Sequence, residues 1–268
     1  MFNTLKNAWK IPDLRKKLLF TLLIIIAFRF GSVVPVPFLD ASALSEIMAS
    51  ANETALGYVN MLTGGAFANA TLFAMGITPY INSSIIIQLL TVAIPPLERM
   101  AKEGEEGRRK IAAITRYVTV ALGLIQGTAY YFFLKNSGVT LYNEGFSAVF
   151  SAVIIILAFT AGTALIMWMG ELITQRGVGN GMSLIIFVSI ISSVPSAIFS
   201  SINLNADMGM GIAVTVLILV VVLLCIPAII FVERAQRRIP ISYAKRVQGR
   251  KVMGGQSSYL PIKINAAG

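Results

Sequence analysis

The side chains that ordinarily carry chemistry are scarce in this sequence and badly spaced for catalysis. Histidine is absent, which removes the commonest general base and the commonest metal ligand. The one cysteine, Cys225, lies in an apolar run, so neither a disulfide framework nor a cysteine metal site can be assembled. Gly177-Val178-Gly179-Asn180-Gly181 has the outline of a nucleotide-binding turn. It follows no strand and lies between two long apolar runs, so its glycines read better as a tight connection between helices. No glycine-rich loop ending in Gly-Lys-Ser or Gly-Lys-Thr occurs, and paired carboxylates are missing from the apolar runs. No enzyme motif and no cofactor site emerge.

The elements that must position whatever function remains are membrane helices. Of the 268 residues, 56% are hydrophobic and only 13% charged, with a mean hydropathy of +0.77. A soluble domain carries about 25% charged residues. Six apolar runs stand out, roughly at 18–37, 75–94, 112–134, 148–169, 182–200 and 210–232. Each is long enough, at about 1.5 Å per residue, to cross a hydrocarbon core of about 30 Å. The first is not a cleaved signal peptide, because Val33-Val34-Pro35-Val36-Pro37 follows it instead of a small-residue cleavage site. The expected fold class is all-α, a multi-spanning membrane helix bundle.

The net charge of +10 then reports topology before it reports any nucleic acid. Lys6, Lys10, Arg15, Lys16 and Lys17 precede the first run, and Arg99, Lys102, Arg108, Arg109 and Lys110 follow the second. Arg176 follows the fourth, and Arg234, Arg237, Arg238, Lys245, Arg246, Arg250, Lys251 and Lys263 follow the sixth. With six spans all of these fall on one side. The other side has Lys135 against Asp40, Glu46, Glu53, Glu144 and Asp207. The positive-inside bias therefore puts the N-terminus in the cytoplasm.

Two segments depart from simple spans. The external stretch 38–74 is too apolar for a solvated loop, and its last part, Asn60–Phe73, is rich in small residues. A helix there would be too short to cross. It is either an interfacial amphipathic helix or a half-length element shielded by protein. The C-terminal segment is basic, punctuated by Gly249 and Gly254-Gly255, and stops at Ala266-Ala267-Gly268 without the look of a natural terminus, so a fragment or shortened form is expected. Its basic residues, interleaved with Pro240, Tyr243 and Tyr259, exceed what orientation needs. Topology and anionic lipid are one use for them, and RNA phosphate or an acidic protein surface is another.

Few polar groups lie within the runs. Arg29 either snorkels to the outer headgroups or pairs structurally. Asn82, Ser83, Ser84 and Gln88 on the second run suit helix–helix hydrogen bonds. An ion or proton transporter would place carboxylates near the midplane, and the runs carry almost none.

Several segments, in chain order, are similar to one family. They are Gly76-Ile77-Thr78-Pro79-Tyr80-Ile81 with Ile85-Ile86-Ile87-Gln88-Leu89-Leu90, Lys102-Glu103-Gly104-Glu105-Glu106-Gly107-Arg108-Arg109-Lys110, and Gly177-Val178-Gly179-Asn180-Gly181-Met182-Ser183. Val232-Glu233-Arg234-Ala235-Gln236-Arg237-Arg238-Ile239-Pro240, Tyr243-Ala244-Lys245-Arg246 and Gln256-Ser257-Ser258-Tyr259-Leu260-Pro261-Ile262-Lys263 complete the set. Together they resemble the SecY family, the central subunits of the bacterial protein-conducting channel, over essentially the whole chain.

The resemblance implies ten spans in two five-span halves around a pore, of which this chain supplies six and the next cytoplasmic loop. The implied divisions are a cytoplasmic segment 1–17, a five-span half 18–200, an external loop and sixth span 201–232, and a basic loop 233–268. Within the half, segment 60–73 resembles the plug, a short helix closing the pore from outside, with Asn60, Leu62, Thr63, Gly64, Gly65 and Phe67 as its candidates. Ile77, Ile81, Met182 and Ile186 fall at pore-ring positions, where apolar side chains resist wetting and offer a passing chain no sticking point. Read without the resemblance, the same residues are core or lipid-facing. Gln88 becomes a lateral-gate contact, and Arg234, Arg237, Arg238, Lys245, Arg246, Arg250 and Lys251 become a docking surface for the ribosome or the SecA motor. Small membrane subunits of SecE and SecG type, signal sequences, nascent chains and membrane lipid are the other implied partners, and the location is the bacterial plasma membrane. Two other functions stay open on the residues alone: a small-solute transporter, and a membrane-anchored scaffold that recruits ribosomes.

Overall fold

The computed structural model describes residues 11–50, 55–203, 208–241, 246–248, 251–253 and 258–263. The chain divides into two units, Met1–Pro195 and Ser196–Gly268. The division falls inside a helix at Pro195, a residue that cannot donate to the helical ladder.

In the first unit, helix α1 (Pro12–Gly31) starts on a proline whose fixed φ suits the first helical turn, with Asp13 beside it at the positive end of the dipole. It ends at Gly31, short of the expected edge at 37. Pro35 and Pro37 cannot prolong a helix, and Pro35 instead bridges Thr71 in an antiparallel pair. Two short helices follow, α2 (Ala41–Ser50) and α3 (Ala55–Leu62). Asp40 caps α2, its Oδ1 accepting the N–H groups of Ser42 at 3.0 Å and Ala43 at 3.3 Å. The Ser42 hydroxyl, followed by the Ala43 N–H, holds the Asp40 carboxyl below its ordinary value.

From Thr63 to Ile77 the chain makes consecutive turns around a bridge residue, Thr71. The short helix expected over Asn60–Phe73 is thus corrected, since only Asn60–Leu62 is helical, as the end of α3. Positive φ at Gly64 (66°), Gly65 (86°) and Ala70 (45°) is incompatible with a right-handed helix.

Helix α4 (Thr78–Ala93) meets α5 (Pro95–Lys102) at a 100° bend placed by Pro95-Pro96. Helices α6 (Glu105–Asn136) and α7 (Gly145–Arg176), of 32 residues each, pack on one another, and α4 and α5 pack on α6. Helix α8 (Gly181–Asn203) starts after the turn at Gly177–Asn180, where Gly179 takes a φ of 75°. A Cβ on Gly181 would lie 1.9 Å from the Gly170 carbonyl, so α8 approaches α7 as closely as two backbones can. The tight helix connection read from the glycines is what the chain forms.

In the second unit, α9 (Met208–Arg234) is apolar on all sides and largely exposed. Strand β1 (Gln236–Ile241) pairs antiparallel with β4 (Ser258–Lys263), and β2 (Arg246–Gln248) with β3 (Lys251–Met253). The sequence reading gives no strand in this basic segment. The register sets Arg237 opposite Ile262 and Ile239 opposite Leu260, and Pro240 and Pro261 are tolerated because each ribbon has only edge strands.

By length and composition, three helices of the described residues can cross a membrane: α6, α7 and the Ile212–Arg234 part of α9. The bent α4–α5 pair, counted as one span, brings the number to four, and Gly181–Ser196 of α8 is a shorter apolar helix. Each of the six expected runs overlaps a helix, yet α1 carries Arg15, Lys16, Lys17 and Arg29 and does not qualify on composition.

Candidate functional site

Two adjoining apolar clusters of the first unit hold the segment between α3 and α4. In one, Phe67, Ala70 and Ala74 pack with Tyr130, Leu134, Ile155 and Phe159 of α6 and α7. The Phe67 and Tyr130 rings lie 4.5 Å apart, and Tyr130 Oη donates to the Phe67 carbonyl at 2.7 Å. In the other cluster, Phe73 stacks on Phe28 of α1 at 5.6 Å beside Ile24, Ile77, Ile166 and Ile185. The fit is close enough to demand glycine on the facing helices. A Cβ on Gly31 would lie 2.2 Å from the Phe73 ring, and one on Gly162 would lie 1.9 Å from the Leu72 carbonyl.

These contacts settle how segment 60–73 is shielded. Thr63, Ala66, Phe67, Ala70, Thr71 and Phe73 are each under 5% exposed. Protein therefore covers the segment, as irregular backbone beside a bilayer requires, and the interfacial-helix alternative fails. Asn60 and Thr63 organise it: Asn60 Oδ1 accepts the Ala68 N–H at 2.9 Å and Thr63 Oγ1 accepts the Phe67 N–H at 3.2 Å. Gly64 and Gly65 supply positive φ, whereas Leu62 points out at 52% exposure.

The structure brings Ile77, Met182 and Ile186 to one apolar cluster, with Ile77 buried and the other two partly so. Ile81, one turn further along α4, is 39% exposed and outside it. Met182 leans on Gly170 of α7, filling the space a side chain there would take. Gln88 is exposed on α4, and Ser83 shares a short hydrogen bond with Thr119 of α6. The latter is a helix–helix link worth about 0.6 kcal/mol in a membrane. Arg29 pairs structurally, as Nη1 donates to Ser192 Oγ at 3.0 Å.

One pair escapes the sequence reading. Arg116 Nε of α6 donates to Glu171 Oε1 of α7 at 2.6 Å. An open cavity of about 400 Å³ beside it is lined by Tyr80, Ser84, Arg116, Glu171, Asn180 and Met182. Opposite charges at matching depths of consecutive helices are the signal that identifies it.

In the second unit, Arg234 ends α9, while Arg237 and Arg238 lie exposed on or beside β1. The Arg238 guanidinium sits 4.9 Å from the Tyr259 ring centroid, a cation–π contact across the β1–β4 ribbon. Arg246 begins β2 and Lys251 begins β3, and Lys245 and Arg250 lie outside the described residues.

Comparison with known proteins gives this arrangement a relationship. The SecY family model matches residues 71–268. The protein translocase subunit SecY of Streptomyces coelicolor is 46% identical over 276 residues, covering 100% of this chain and 63% of that protein. The Rickettsia conorii subunit of the same name is 45% identical over 260 residues, covering 96% of this chain and 59% of that protein. Two solved structures share the fold at 16% identity. One, described as the structure of a protein-conducting channel, has a TM-score of 0.58 and covers 93% of this chain and 52% of its own. The other, Sec61 in the canine ribosome–channel complex from the endoplasmic reticulum, has a TM-score of 0.55 and covers 85% and 49%. This chain thus spans less than two thirds of the length of the relatives it matches. A helical membrane protein aligned from end to end with SecY subunits, this chain belongs to the SecY family.

Proposed function

We propose that this chain builds the first part of a polypeptide-conducting channel of the bacterial plasma membrane, with its N-terminus in the cytoplasm. Secretory polypeptides pass through it, and new membrane helices leave sideways into lipid. The observation that carries this reading is the buried, irregular segment from Thr63 to Ile77, held by apolar packing alongside Ile77, Met182 and Ile186. A regular span would serve a static bundle. A non-helical element packed among helices suits a closure that must leave and return.

In this reading Asn60–Phe73 closes the external funnel, and Ile77, Ile81, Met182 and Ile186 form the apolar constriction. Gln88 is a polar contact of the lateral gate. The basic segment from Glu233 to Lys263 docks the ribosome or the SecA motor, which supplies the energy. Small membrane subunits of SecE and SecG type complete the assembly.

The test is reconstitution. This chain, joined at Gly268 to the remaining part of the Streptomyces coelicolor relative, is placed in proteoliposomes with the small subunits and an ATP-driven motor. A secretory precursor should become protease-protected. In a Cys225→Ser background, a thiol at Thr63→Cys should resist an external reagent at rest and react once a precursor is trapped. Failure to protect the precursor, or full reactivity at rest, overturns the proposal.

A further inference from the structure

Arg29 is a cation in the last turn of α1, at the far end from the basic residues that set orientation. Its Nη1 donates to Ser192 Oγ at 3.0 Å, and that hydroxyl donates onward to the Ser189 carbonyl of α8 at 2.7 Å. Among the described residues no carboxylate lies within ion-pair distance of the guanidinium. The relay is a hydrogen-bond chain and not an ion pair. Its effect is geometric, because a hydroxyl that accepts from Arg29 and donates to Ser189 has its rotamer fixed.

The corner so fixed is occupied by Gly64. A Cβ added there would lie 2.6 Å from Ser192 Oγ, 2.7 Å from the Ser189 carbonyl and 3.3 Å from Arg29 Nη1. Its φ of 66° independently disfavours any side chain. Two separate constraints thus converge on one residue of the turn segment, the close approach set by groups of α1 and α8 and the positive φ set by its own backbone. The other buried contacts of this segment, through Phe67, Leu72 and Phe73, are apolar packing, backbone pairing and the Tyr130 hydroxyl on the Phe67 carbonyl. Gly64 is where it meets α8 through a polar surface.

We infer that Arg29 and Ser192, with the Ser189 carbonyl, form a seat for Gly64 that holds the segment in its closed position. Arg29 is the positioning residue. It acts through Ser192, holding the hydroxyl at the wall of the corner and turned toward its own helix, so that only a bare backbone can dock. The inference rests on reading residues 60–73 as a closing segment, and adds what latches it.

The seat is tested in the same joined channel, at rest and without precursor, in the Cys225→Ser, Thr63→Cys background. An impermeant thiol reagent reports how often the segment leaves. Gly64→Ala should speed labelling about tenfold, from its left-handed backbone and the backbone oxygen it meets. Arg29→Ala and Ser192→Ala should each speed it by a smaller factor. Adding Arg29→Ala to Gly64→Ala should change little, because the seat is already lost. A thiol at Ser83, fully buried between α4 and α6, should stay protected in every variant. Unchanged labelling at Thr63, full additivity of the two substitutions, or equal labelling at Ser83 would each overturn the seat. Labelling needs no transport, so a channel that moves no precursor yet shows this pattern would sink the conduction reading and leave the seat standing.

Discussion

Removing one hydroxyl, Tyr130→Phe, isolates a single polar tie between the turn segment and α6. Tyr130 is 5% exposed, and its Oη donates to the Phe67 carbonyl at 2.7 Å. The ring keeps its neighbours in the variant, Phe67 at 4.5 Å and Phe159 at 5.0 Å. What is lost is one buried hydrogen bond, and the Phe67 carbonyl is not stranded, since the Ala70 N–H also reaches it at 3.2 Å. The loss therefore belongs at the low end of the range for buried acceptors, about 1 kcal/mol. That corresponds to an about fivefold rise in the equilibrium for release of the segment. Tyr130→Ala removes the ring as well and should cost about 3–5 kcal/mol, saturating the effect. The assay is the labelling rate of Thr63→Cys, with closing fast relative to labelling so that rate tracks the open population. Equal rates for the parent, Tyr130→Phe and Tyr130→Ala would refute the reasoning, because neither hydroxyl nor ring would then hold the segment.

Replacing Ile77, Ile81 and Met182 together with Ser should raise resting ion conductance in planar bilayers, since wetting of the constriction follows its polarity. An unchanged conductance would remove these residues from the seal. Arg116→Ala or Glu171→Ala should lower stability by about 1–2 kcal/mol, between exposed and buried pairs, because the two side chains are 46% and 21% exposed. The charge-exchanged double variant should recover part of that loss in thermal melts, and failure to do so would show that the pair is incidental. Reversing Arg237, Arg246 and Arg250 to Glu should weaken ribosome binding and flatten its salt dependence while insertion of the spans proceeds. Parent-like affinity would leave these residues only topology or lipid.

The helical bundle was legible because its signal is redundant. Long apolar runs and one-sided charge are independent, and each points to membrane helices. Edges were less so: the first run reads through Val33 to Pro37, but the helix stops at Gly31, where the prolines turn the chain toward Thr71. That pairing is non-local, and hydropathy carries no trace of it. The turn segment was legible as unusual and illegible as a shape. Small residues argue for close packing, but that Gly64 breaks the helix depends on partners in α1 and α8. Met182 and Ile186 could be grouped with Ile77 only by resemblance, because a hundred residues separate them and isoleucine fits any apolar surface. Arg29 was ambiguous for a related reason, since its acceptor is a serine on α8 that carries no charge to advertise the pairing.

The bonding within the turn segment bears on how it would move as the proposed closure. A non-helical stretch leaving its helices risks stranding backbone groups in a poorly hydrated site. Here most of those groups are satisfied within the segment and the end of α3. Thr63, Gly64 and Gly65 N–H groups reach the carbonyls of Val59, Met61 and Asn60, and those of Ala70, Thr71, Ala74 and Gly76 reach Phe67, Ala66, Thr71 and Phe73. Phe67 and Ala68 N–H groups are met by the Thr63 hydroxyl and the Asn60 amide. The ties to other elements are few: Leu72 N–H to Val34, Val36 N–H to Ala70, and Tyr130 to Phe67. Displacement as one body therefore breaks about three hydrogen bonds, roughly 3 kcal/mol net, where unravelling would break three times as many. Apolar packing supplies the rest of the hold, and it re-forms without having to find a charged partner. If the segment is the closure proposed above, it resists spontaneous opening by a margin that an entering polypeptide, with its own contacts to offer, can overcome.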